Sequence, residues 1–170
     1  IMSATAKQFD DTGKQMTYVN DQLSKLNWFT DETSYNFVDM VDNIGKFTNS
    51  NVPLDKAVTS MQGIATWAAA SGAGAQQASR AMYNLSQALG MGSVRLQDWM
   101  SIENAQMATV EFKETVMETA AGLGVLKKQA DGTFKTLKNN EVTVENFRNT
   151  LSEGWFTSDV LTGVLSQYGG

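Results

Sequence analysis

The chain has 170 residues and contains no histidine and no cysteine. A Ser-His-Asp triad, a Cys-His pair, a zincin motif and a His-ligated metal are therefore all excluded. Without cysteine there is no disulfide framework, thiolate site or iron–sulfur cluster, and nothing from which to read a redox compartment. Proline occurs once, at Pro53, and charged residues make up only 18% of the chain. The charge that is present is unbalanced: a net −5 with a pI near 4.7 opposes a nucleic-acid-binding surface as the main function. Long apolar runs are missing too. The longest apolar-and-small stretch, Gly63 to Ala75, is interrupted by Thr66, Ser71 and glycines and is too short to span a membrane.

What takes the place of charge is uncharged polarity, with Ser, Thr, Asn and Gln supplying 53 residues. Apolar residues at 42% are ordinary for a globular protein, and a chain this long buries a core without staples. The chain begins at Ile1 with no basic-then-apolar leader, which suggests a piece of a longer protein.

Apolar spacing is helical over most of the length. Val19, Leu23 and Leu26 predict a helix over 14–31, and Phe37, Val41 and Ile44 a second over 36–47, followed by a turn at 48–52. Pro53 suits a first helical position, where its missing N–H is no loss. The helix it opens carries Leu54, Val58, Met61, Ala65 and Ala68 on one face and stops at Gly72 and Gly74. A fourth helix over 75–89 aligns Ala78, Met82, Leu85 and Leu89 and stops at Gly90. A fifth begins with Leu96, Trp99 and Met100; a sixth, 111–122, spaces Phe112, Val116, Ala120 and Leu123 before Gly124.

The pattern changes at Val125. Two short β-rich runs flank Asp131-Gly132, a pair suited to a type I′ hairpin, and 141–143 offers a third short strand. Thr143 then caps a helix carrying Phe147 and Leu151, Gly154 breaks it, and Leu161, Val164, Leu165 and Tyr168 define the last helix. The fold class expected is mainly α: a compact bundle of about six to eight short helices with a small β-hairpin near 125–137. Two units follow, 1–124 helical and 125–170 a hairpin with a two-helix appendage. Charge divides similarly, with Lys127, Lys128, Lys135 and Lys138 making the hairpin a basic spot on an acidic body.

No motif here carries catalysis. Glu111, Glu114 and Glu118 lie opposite an apolar stripe and read as a solvated helix face, as do Asp39 and Asp42. No lysine follows a serine at the S-x-x-K spacing. Gly72-x-Gly74 follows a helix and lacks the third glycine of a dinucleotide fingerprint. The run Asp39–Gly45 lacks the calcium-loop spacing, and Asn84-Leu-Ser86 lies mid-helix, where a glycosylation acceptor would not be used. The hairpin lysines read as blockers of edge pairing. The four tryptophans and nine methionines are mainly core material. Trp28-Phe29 and Trp155-Phe156, each beside a helix end, are the candidates for protein contact. Catalytic, metal and cofactor sites are not expected.

The runs WFTDETSYNFVDMVDNIGKF (28–47) and MQGIATWAAASGAGAQQASRAMYNLSQALGMGSVRLQDWMSIEN (61–104) resemble the tape measure domain of bacteriophage tail tape measure proteins. The carrying features are the break at Asp31-Glu32-Thr33-Ser34 and the Phe-led helix that follows it. To these are added the Ala/Gly-rich helix end at 68–75, the Ala-Leu-Gly turn at 88–90 and the leucine-acid-tryptophan pattern at Leu96–Trp99. The resemblance is strong over 20–124; 133–168 is similar to the stretch that follows in one branch of the family, and 1–15 is not placed by it. It implies a structural, non-catalytic domain acting in tail assembly and tail-length determination. Its setting would be the virion tail lumen, and the host cytoplasm during assembly. The implied partners are the tail tube protein, tail assembly chaperones and tail-tip proteins, with no small-molecule substrate, nucleic acid or membrane among them. Opening into extended helices within the tube is a further expectation, and the oligomeric state is left open. A helical adaptor of a non-viral protein is the alternative from another class. A peptidoglycan-cleaving tail module, with Glu103 or Glu111 as the acid, is the enzyme alternative.

Overall fold

The computed structural model describes residues 12–32, 42, 44–46, 48 and 52–169. In chain order the helices are α1 (Thr12–Glu32), α2 (Leu54–Ala70), α3 (Ala75–Met91), α4 (Leu96–Asn104) and α5 (Val110–Gly122). Strands β1 (Leu126–Lys128), β2 (Phe134–Thr136) and β3 (Glu141–Val142) follow. A single turn α6 (Phe147–Thr150), continued as a 3-10 turn over Leu151–Glu153, leads to α7 (Ser158–Gly169). The chain is thus mainly α with a small antiparallel sheet, as the periodicity predicts. Most of the helix expected over 36–47 lies outside the described residues; within them, 42, 44–46 and 48 are helical, so Thr48 belongs to helix rather than to the expected turn.

Helix α2 is the centre. Its expected stripe of Leu54, Val58, Met61, Ala65 and Ala68 is buried, and so are Ala57, Ile64 and Trp67 on other sides. A helix apolar nearly all round needs neighbours on several faces, and α1, α3 and α7 supply them. Pro53 sits one residue earlier than expected, at the N-cap, where it has no side chain to offer the exposed N–H groups. The Tyr18 hydroxyl of α1 compensates by accepting from the Asp55 N–H at 3.2 Å. Burial, and then the Asp55 carboxylate beside it, raises the Tyr18 pKa above its ordinary value.

The end of α3 departs from its expected position. Helix α3 runs through Gly90 and stops at Gly92, whose φ of 91° closes the helix by donating to Ala88 O. Glycine inside a helix only weakens it, and a following residue at positive φ is what ends it. Helix α4 closes through Gln106 at φ 60°, with Met107 N donating to Ile102 O at 3.1 Å. A left-handed glutamine is costly, so Gln106→Gly is expected to stabilise the domain by up to about 1 kcal/mol. A chemical denaturation midpoint that does not rise would contradict this.

The sheet has order β1-β2-β3, with Leu126 opposite Thr136, Lys127 opposite Lys135, Phe134 opposite Val142 and Lys135 opposite Glu141. Leu126, Phe134, Thr136 and Val142 point inward. The Asp131-Gly132 turn is not type I′. Only Gly132 has positive φ, Gly132 N donates to Gln129 O, and Gln129 N donates to Thr133 O. This is a three-residue loop, a turn closed by a left-handed residue. The second hairpin repeats it, with Asn139 at φ 73° and the same bonds between Thr136 and Asn140. The preference for Asp-Gly in both kinds of turn explains why the sequence alone did not separate them.

The two segments divided at 124/125 are joined by backbone. Val94 N donates to Phe156 O at 2.8 Å and Ser158 N to Gly92 O at 2.9 Å, around a bridge between Ser93 and Thr157. One cluster of buried apolar residues extends from Val19 to Leu165.

Candidate interaction surface

The expectation that Trp155-Phe156 is an exposed contact pair is corrected by burial. Trp155 is 4% exposed and Phe156 1%. Their rings join Trp99 and Phe147 in an aromatic cluster, with Trp155 edge-on to Phe147 at 5.3 Å. The Trp155 indole N–H donates to Thr150 Oγ1 at 2.9 Å, so its polar edge is also internal. The physical reason is the backbone clasp at 92–94, which draws this pair onto the α3–α4 connection. Trp28 and Phe29 lie in the last turns of α1, but their side chains are outside the described residues.

The carboxylates behave as a solvated face. Glu111, Glu114 and Glu118 are exposed, and Glu118 accepts from Lys128 at 2.7 Å. Glu103 pairs with Arg148 at 2.8 Å. Asp39 lies outside the described residues, and Asp42 is exposed. Among the described residues no group of three or more acidic side chains is arranged to hold a metal ion, and no helix is long and apolar enough to cross a membrane.

In the hairpin loop the Asp131 carboxylate accepts from Thr133 Oγ1 at 2.7 Å and from Thr133 N at 3.0 Å. These bonds favour its charged form and lower its pKa from the ordinary carboxylate value. The sign follows: the loop's contribution to stability is full above the unfolded pKa and is lost as pH falls through the lowered folded one. Thr133→Ala is expected to move the Asp131 midpoint back up. A carbon-detected NMR titration showing no movement would contradict the assignment.

Clefts lie on several sides of the described surface. One lies between Asp55, Asp159 and Gln167, a second between Glu114, Glu118 and Glu141, and a third beside Asp21. A fourth, about 430 Å³, is bounded by Gln77, Arg80, Tyr83 and Asn84 of α3, by Ser101 and Asn104 of α4, and by Lys46. Among the described residues its lining holds no carboxylate. Lys46 Nζ stands 4.8 Å over the Tyr83 ring, and the Tyr83 hydroxyl accepts from Gln87 at 3.0 Å. Asn84 Nδ2 is held on Arg80 O at 2.9 Å. Sequence reasoning missed this cleft, because Arg80 and Lys46 are single cations on separate elements and only the fold brings them together.

With no catalytic constellation among the described residues and a buried apolar cluster that extends from Val19 to Leu165, comparison with known proteins decides the class. The family model described as tape measure protein matches residues 2–170. The chain belongs to the tape measure protein family. The match takes in the sheet and α7 as well as the helices before them, and includes 2–15, which the resemblance over 20–124 had left unplaced. No curated protein and no solved structure matches the chain significantly. Membership in this family supports a structural role in the phage tail.

Proposed function

We propose that this domain acts in phage tail assembly and tail-length determination as a folded, non-catalytic unit that works through protein contacts. The observation that carries the reading is the match of the tape measure model over 2–170. The solvated carboxylates and the continuous core agree with it. The proposed partners are the tail tube protein, tail assembly chaperones and tail-tip proteins, met in the host cytoplasm during assembly and then within the tail lumen. We place the 124/125 division at a change of element type, with both parts working together. Trp28-Phe29 stays a proposed contact pair.

The test is tail length, by electron microscopy, in phage whose tape measure gene lacks residues 2–170 in frame. Absence of tails supports a folded domain that starts tail building. Tails shorter by roughly 250 Å, about 1.5 Å per residue, support a segment counted in the ruler. Tails of normal number and length overturn the reading.

A further inference from the structure

We propose that the outer face of the three-stranded sheet docks an acidic segment of a partner protein, with a carboxylate between Lys127 and Lys135 and an apolar residue on Leu137. Edge blocking explains only part of these lysines. The strand order β1-β2-β3 puts Lys127 on an edge strand but Lys135 in the central one, where there is no edge to block. The register sets Lys127 directly opposite Lys135. Like charges so placed weaken a sheet, and folding alone gives no reason for the pair. Leu126, Phe134, Thr136 and Val142 are buried on the inner face, and alternation turns Lys127, Lys135 and Glu141 outward.

The loop after β2 extends the same patch. Leu137 is 66% exposed, and Lys138 beside it is exposed as well. The Lys127 ammonium donates to Asn139 Oδ1 at 3.2 Å, which holds it against this loop. Lys128 is directed elsewhere, to Glu118 of α5 at 2.7 Å. Three lysines and one leucine thus share this end of the sheet. Charge complementarity decides the occupant. Residues 125–138 hold four of the chain's 13 basic residues and one of its 18 acidic ones, so an acidic segment meets little repulsion here. Glu141 lies opposite Lys135 on the strand away from Lys127 and bounds the site on that side. A nucleic acid is a poorer fit: Phe134 is buried and offers no face for stacking, and the acidic body repels a phosphate chain. One leucine is too little to anchor the chain in a bilayer, and an anionic bilayer repels the same body. The inference stands on the sheet itself and does not depend on the role in tail length.

The experiment is an NMR titration of the 170-residue chain with the acetylated peptide Glu-Glu-Leu-Glu-Glu. The comparison probes are Gln-Gln-Leu-Gln-Gln, a twelve-nucleotide single-stranded DNA, and vesicles of phosphatidylserine with phosphatidylcholine. The expected result is that the acidic peptide shifts the Lys127 and Lys135 side-chain signals and the Leu137 methyls saturably. The glutamine peptide is expected to bind at least tenfold more weakly. Lys135→Gln is expected to weaken the acidic peptide about tenfold while its urea midpoint holds or rises, because a like-charge pair is lost. Leu137→Ser, in an exposed loop, is expected to weaken it severalfold, and Lys56→Gln on α2 to leave it unchanged. Each variant's amide dispersion checks the fold. The proposal is overturned by the absence of saturable shifts at these residues, by equal binding to Lys135→Gln and Leu137→Ser, or by DNA or vesicles occupying the sheet face more tightly than the peptide.

Discussion

Gly63→Ala is expected to destabilise the domain by about 3 kcal/mol, against the usual sign for such a change. In a helix interior alanine is favoured over glycine by about 1 kcal/mol, and Gly63 lies mid-way along α2. The neighbour reverses the sign. A Cβ at Gly63 would overlap the carbonyl oxygen of Leu165, with the Leu165 carbonyl carbon at 2.9 Å and its Cα at 3.1 Å. These are backbone atoms of α7 and cannot turn aside, so the whole helix would have to lift from α2. Two other glycines calibrate the result. Gly163→Ala meets only the Thr119 methyl at 3.0 Å and is expected to cost much less. Gly122→Ala meets nothing within 4 Å and is expected to be neutral or to stabilise by about 0.5 kcal/mol. Urea denaturation of the three variants checks the ordering; a Gly63→Ala protein as stable as the parent would show that α7 does not rest on α2 as described.

Trp67→Ala is expected to cost about 4 kcal/mol, a large share of the ~5–15 kcal/mol typical of a domain. Trp67 is 1% exposed and lies flat on Phe112, with ring centroids 3.8 Å apart and planes 6° apart. Its indole N–H donates to Met107 O at 2.6 Å, tying α2 to the α4–α5 connection. Trp99, equally buried, stands between Phe112, Phe147 and Phe156, and its indole nitrogen has no partner among the described residues. Substitution by phenylalanine separates the two. Trp67→Phe leaves the Met107 carbonyl without this donor, whereas Trp99→Phe removes a donor that had no acceptor. The first is expected to cost about 1 kcal/mol more than the second. Thermal denaturation giving the reverse order would contradict the hydrogen-bond assignment.

The helical fold was legible because its strongest signals are local. The stripes of α2 and α5 are buried at Leu54, Val58, Met61, Ala65, Phe112, Val116 and Ala120, as spacing alone indicates. Spacing failed where the partner is distant in sequence. Leu96 and Met100 share a face of α4 yet remain exposed, because the aromatic cluster takes the Trp99 and Ile102 side. Leu123, one residue beyond α5, is also exposed: the helix ends before the stripe completes its next turn. Trp155 and Phe156 read as contact candidates because they stand beside a helix end; the pairing of their segment with Val94 and Gly92 is a long-range feature without a local signature. The cationic cleft was hidden for the same reason.

The measurement that tests the central claim, that the compact fold is the form acting in assembly, is a count and length measurement of tails in phage carrying Gly63→Ala. Tails would be imaged at a permissive temperature and at one above the melting point of the variant domain. The account predicts few tails at the higher temperature, those formed having the parental length, with normal numbers restored on cooling. Normal numbers of normal-length tails made while the domain is unfolded would contradict it.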